Sequence, residues 1–174
     1  MKKLLATAAI AAGLLAGGNA FAQSAANTDN ATATTSVTII RPLTITKTSD
    51  LAFGRIVRPR TGTGTVTLAN SGNSVVAAAG AVALASTTSR AIFSVAGEGA
   101  QAVTTTIPGT VSLTSGANSL LVTLLPDFGS TVTLSGALAA AGTATLNVGG
   151  SFNLVDTQAS GAYTATFPVT VAYQ

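Results

Sequence analysis

The sequence predicts an all-β fold of short, mostly antiparallel strands, arranged as a sandwich or a barrel. Three observations lead there. Val, Ile and Leu recur at period two along much of the chain. Threonine is abundant between them, a residue stiff at χ1 and suited to a pleated surface. Gly, Asn, Ser, Asp and Pro interrupt the alternation every few residues, the punctuation of short strands joined by turns.

Taken in order, Ala31 to Ile45 places Ala31, Ala33, Val37, Ile39, Leu43 and Ile45 at odd positions. Pro42 breaks the hydrogen-bond ladder, so two strand segments should meet there. Leu51 and Phe53 should share one side, with Gly54 allowing a bend. Pro59, Gly62 and Gly64 mark a loop before a strand over Thr65 to Leu68. Val75 to Ser86 is small and apolar. A helix would carry Gly80 at its centre, which favours strand. Ala91, Phe93 and Val95 share a strand face, and Gly97 to Gly99 should end it. Pro108-Gly109 is a turn signal between Val103–Ile107 and Thr110–Leu113. Leu120–Leu125 and Thr131–Ser135 read as further strands. Gly149-Gly150 is a hairpin candidate between Ala144–Val148 and Phe152–Leu154. The clearest element is the last one. Tyr163, Ala165, Phe167, Val169, Val171 and Tyr173 alternate over eleven residues, with Pro168 demanding a gap, bulge or free edge.

The N-terminus sets the domain plan. Met1-Lys2-Lys3 precedes an apolar run to Leu15, and Ala20-Phe21-Ala22 has the small-x-small pattern of a cleavage site. Residues 1–22 therefore read as a secretory signal peptide, with an exported product in the periplasm, at the cell surface or outside the cell. The run is too short to span a bilayer comfortably, and no transmembrane span is expected after cleavage. Residues 23–30 read as a flexible segment, and 31–174 as the sandwich domain.

Loss of Lys2 and Lys3 lowers the formal net charge from +3 to +1. The basic character is then slight, and nucleic-acid binding is not expected. Arg55, Arg58 and Arg60 cluster without an aromatic ladder and read as a solvated loop, or as a contact with an anionic surface or a partner subunit.

Charged residues make up 7% of the chain, against roughly 25% in an ordinary domain. There is no His, no Cys and no Trp. A His-based triad, a thiolate nucleophile, the usual zinc sites and a disulfide are thereby excluded. Lys47 lacks the Ser-x-x-Lys spacing, since position 44 is Thr. Asp29, Asp50, Glu98, Asp127 and Asp156 fall in expected loops or termini and read as solvated turn residues. The expectation is a protein with no enzymatic activity, no catalytic residues, no cofactor and no metal.

A sheet without catalytic equipment suits assembly. A partner's extended segment can add to an open sheet edge, with backbone bonds giving affinity and alternate side chains filling pockets. Ala31 to Ile39 is a candidate donor, or else it pairs within its own domain. The C-terminal strand would wall the acceptor groove.

The closing residues Phe167-Pro168-Val169-Thr170-Val171-Ala172-Tyr173-Gln174 resemble the last strand of chaperone–usher pilins. Leu51-Ala52-Phe53-Gly54 is similar to a stretch of archaic-type pilins and of spore-coat-U-like domains. The wider layout, with Arg41-Pro42-Leu43-Thr44-Ile45 and Gly161-x-Tyr163, resembles the exported bacterial domains of the DUF4402 family over roughly residues 31–174. The pilin resemblance implies that Phe167, Val169, Val171 and Tyr173 meet a periplasmic chaperone, that Val37 and Ile39 insert into a neighbouring subunit, and that Leu51 and Phe53 are core. It implies an immunoglobulin-like antiparallel β-sandwich, self-complete or left with an open groove, with self-association or a chaperone and outer-membrane assembly partner, and a structural subunit of a surface or fimbrial assembly. The absence of cysteine departs from many pilins. The alternative is a self-complete secreted binding module, for carbohydrate for instance, which needs a groove with exposed aromatics.

Overall fold

The computed structural model describes residues 29–174; the signal peptide expected at 1–22 and residues 23–28 lie outside the described residues. The unit Thr38–Gln174 carries every strand described. In chain order these are β1 (Thr44–Ser49), β2 (Arg55–Val57), β3 (Thr63–Leu68), β4 (Val75–Ala78), β5 (Val82–Leu84) and β6 (Ala91–Glu98). Then come β7 (Ala102–Thr106), β8 (Thr110–Ser115), β9 (Asn118–Pro126), β10 (Thr131–Thr133), β11 (Ala141–Val155) and β12 (Thr170–Tyr173). Every pairing is antiparallel and there is no helix among the described residues, as the period-two alternation predicts.

A seven-stranded sheet runs β1-β6-β11-β3-β4, with β9 on β11 and β8 on β9. A three-stranded sheet, β10-β7-β12, forms the facing layer, and β2 pairs with β5 as a separate ribbon. Side chains from both layers meet in one buried cluster. Val95 of β6, Leu146 and Val148 of β11, Val122 of β9 and Val103 of β7 all belong to it. Burial of such a set is the main source of stability in a chain without disulfides.

The Gly149-Gly150 hairpin is not formed. Both glycines lie inside the fifteen-residue β11. The register explains why. Val148 pairs with Ala91 on one edge and Pro126 on the other; Gly150 pairs with Leu68 and Leu124. One edge of β11 therefore carries β6 and then β3, end to end, while β9 takes the opposite edge. Gly149 sits at the changeover. A Cβ there would overlap the Leu68 carbonyl oxygen and lie 2.6 Å from the Asn70 nitrogen. The glycine is required by close approach of another backbone, not by a turn.

The eleven-residue C-terminal strand is also shorter than expected. Only Thr170–Tyr173 pairs with β7, and Thr164 makes an isolated bridge to Thr114 of β8. Residues 165–169 between them have no ladder. Pro168 supplies no N–H, and the chain alongside is interrupted by Ile107-Pro108-Gly109. The expected faces hold from Phe167 on: Phe167, Val169, Val171 and Tyr173 pack partly buried on the core, while Thr166, Thr170 and Ala172 are exposed; Ala165, expected on the inward face, is exposed as well.

At the other end, the segment expected to start at Ala31 enters a strand only at Thr44. Residues 29–43 belong to no strand. The stretch 75–86 is β4 and β5 separated by a turn, where Ala79 and Gly80 take φ of 54° and 85°.

Candidate assembly edge

Two strands of the domain keep one edge unpaired. β1 pairs only with β6, and β12 pairs only with β7. Between the Thr164 bridge and β12, residues 165–169 make no backbone–backbone hydrogen bond among the described residues. Beneath these edges the apolar side chains are incompletely covered. Leu43 and Ile45 from the β1 side, and Phe167, Val169 and Val171 from the C-terminal side, are all half-buried against the cluster. The Phe167 ring meets Phe93 of β6 edge-on, with centroids 6.3 Å apart. Phe93 in turn is the register partner of Lys47 in β1. The same apolar floor thus serves both open edges.

Tyr173 closes one end of this region. Its phenolic oxygen accepts a hydrogen bond from the Glu98 N–H at 2.7 Å and donates to the Arg41 carbonyl at 2.9 Å. The space for that oxygen exists because residue 97 is glycine. A Cβ at Gly97 would overlap the phenolic oxygen and lie 3.0 Å from both Leu134 Cδ1 and Leu43 Cδ1.

Glu98 corrects the expectation of a solvated turn carboxylate. It is 3% exposed at the end of β6. Its carboxylate accepts from the Ala139 N–H through Oε1, and from the Arg41 N–H at 3.2 Å through Oε2. The Arg41 guanidinium lies 3.9 Å from the same Oε2. Backbone donors satisfy the buried carboxylate, which makes its burial tolerable. The function of this group is to hold three chain segments: the approach to β1, the end of β6 and the loop at Ala139. Asp127 and Asp156 are also structural. Asp127 accepts from the Asn147 N–H at 2.8 Å, and Asp156 from the Gly62 N–H at 2.9 Å.

Of the residues singled out from the sequence, Phe167, Val169, Val171 and Tyr173 come together at the edge. Val37 and Ile39 are 83% and 88% exposed and belong to no strand. Sequence reasoning missed Arg41, Gly97 and Glu98 as partners of Tyr173. Gly97 near a strand end was the only visible signal, and it was equally a turn glycine. Leu51 and Phe53 pack on the core, the latter edge-on to Phe152 at 5.0 Å.

Elsewhere the surface has two shallow depressions. One of about 330 Å³ lies where β9 and β11 diverge, lined by Ser119, Thr123, Ser151 and Asn153 and crossed by Gln158. The other, about 280 Å³, is lined by Thr105, Ile107 and Phe128. No aromatic side chain is exposed among the described residues, so neither offers an open ring face to a sugar.

A family model described as a domain of unknown function, DUF4402, matches residues 43–173. The match begins at Leu43, so the candidate donor Ala31–Ile39 precedes it. Neither the curated proteins nor the solved structures contain a match.

Proposed function

Given that the chain belongs to the DUF4402 family, whose function its description leaves open, we propose that it is a structural subunit of a bacterial surface or fimbrial assembly, joined by β-strand addition. The observation that carries this reading is the unladdered stretch 165–169, whose Phe167 ring meets Phe93 of β6, above a half-buried apolar floor. A strand laid there supplies the missing backbone partners and covers Phe167, Val169 and Val171. The donor is Ala31–Ile39 of a second copy. Val37 and Ile39 stand two residues apart, so both reach one face of an added strand. Burying the pair contributes about 3–6 kcal/mol before the cost of association.

This function requires export by the leader at 1–22 and a chaperone to shield the edge until assembly. It needs no catalytic group. The self-complete carbohydrate module receives less support, since every described aromatic ring is at least half-buried.

The test compares the chain from Gln23 with one lacking residues 23–39. The longer chain should form concentration-dependent oligomers, and the shorter one should remain monomeric and bind an added Ala31–Ile39 peptide. A peptide carrying Val37→Asp and Ile39→Asp should bind at least a hundredfold more weakly. A shortened monomer that ignores the parent peptide removes the proposal.

A further inference from the structure

The β2–β5 ribbon stands apart from the proposed assembly edge and carries an unusual face. Arg55 is opposite Leu84 in the ladder, and Val57 is opposite Val82. Directly opposed residues project to the same side of an antiparallel pair, so these four form one face. It is the outer face: Val57, Val82 and Leu84 are 44%, 52% and 41% exposed. Ile56, on the reverse side, packs on the core.

The chain leaving β2 adds two more cations. Arg58 and Arg60 are exposed on either side of Pro59, which is buried. A Cβ built on Gly80 would lie 3.2 Å from the Pro59 Cβ, so the loop is seated beneath the turn between β4 and β5. Arg58 donates through Nη1 to the Gln158 carbonyl at 2.6 Å and keeps its remaining donors. Half of the six Lys and Arg among residues 29–174 thus fall between positions 55 and 60, a stretch with no Asp or Glu. Among the described residues, the ion pairs join Arg41 to Glu98 and Lys47 to Asp50, and neither involves this cluster.

We propose that this face is a docking surface for an anionic phospholipid bilayer. Apolar side chains flanked by guanidinium groups match the boundary between acyl chains and phosphates. Val57, Val82 and Leu84 enter the apolar side of that boundary, while Arg55, Arg58 and Arg60 reach the headgroup phosphates, which guanidinium binds in bidentate fashion. The surface charge decides the occupant. Asp156, held on the Gly62 N–H, is one carboxylate near three guanidinium groups, so a neutral apolar partner would desolvate net positive charge, whereas an anionic lipid surface supplies many phosphates to a ribbon only three residues long.

The test is co-sedimentation of the chain from Gln23, the product expected after export, with large vesicles of phosphatidylcholine, with and without phosphatidylglycerol, at low and high salt. Arg55→Gln with Arg60→Gln should lower partitioning to anionic vesicles about 25-fold, at about fivefold per charge. Val82→Ser with Leu84→Ser should lower it at both salt concentrations. Lys47→Gln, a charge lost elsewhere, should change it less than twofold. All variants are at exposed sites, and unchanged melting temperatures establish that they fold. Equal partitioning of the arginine variant and the parent overturns the proposal. So does binding indifferent to phosphatidylglycerol, and so does failure of the parent to sediment.

Discussion

Tyr173→Phe keeps the ring and deletes a single oxygen. That oxygen takes the Glu98 N–H and donates to the Arg41 carbonyl. Glu98 is buried, so its amide loses its partner without access to water, at a cost of about 1–3 kcal/mol. Arg41 is exposed, and its carbonyl turns to solvent at little cost. Gly97→Ala should be comparably harmful for a different reason. Its new methyl overlaps the phenolic oxygen and crowds Leu134 and Leu43, an overpacking worth about 1–3 kcal/mol. The two effects share one atom. With Phe at 173 the most severe overlap is gone, so the double variant should lose less than the sum of the singles by about 1 kcal/mol or more. Urea unfolding followed by circular dichroism reads all four corners of this cycle, provided the m-value stays constant. Additivity within about 0.5 kcal/mol would refute the argument, since it would mean that Gly97 and Tyr173 do not compete for the same space.

Two further outcomes test the register. Val171→Asp places a charge on the face of β12 that packs on the core and should cost about 3 kcal/mol or more, whereas exposed Thr170→Asp should stay within about 0.5 kcal/mol in the same unfolding assay; equal losses would mean the faces are reversed. Gly149→Ala should prevent folding or lower the thermal midpoint by more than about 5 °C, because the obstruction is backbone of residues 68–70 that cannot rotate away. A Gly149→Ala protein as stable as the parent would show that β3 does not run past β11 at that point.

The elements legible in the sequence are those whose signal is local. The inward face of Phe167, Val169, Val171 and Tyr173 follows from strict alternation, and the predicted strand at Ala91–Val95 forms for the same reason. The Pro108-Gly109 turn separates β7 from β8 as its chemistry requires. Gly149-Gly150 misled because two adjacent glycines look alike in a hairpin and at a crossing of backbones. Which of these occurs depends on Leu68 and Asn70, some eighty residues earlier. Glu98 misled in the same way. Its place after Gly97 suggested a turn, but two backbone N–H donors and the Arg41 guanidinium, all from distant segments, make it a buried anchor.

By itself the sequence determined an all-β antiparallel domain, the inward side of β6, of β11 and of the chain from Phe167 to Tyr173, and the absence of His and Cys chemistry, because period and composition act within a few residues of one another. Only the tertiary structure decided which edges stay open, where β11 exchanges β6 for β3, and that Tyr173 binds Glu98 and Arg41. Those facts depend on pairing between segments far apart in the chain, and a strand's own side chains fix its faces but not the neighbour that its backbone will bond.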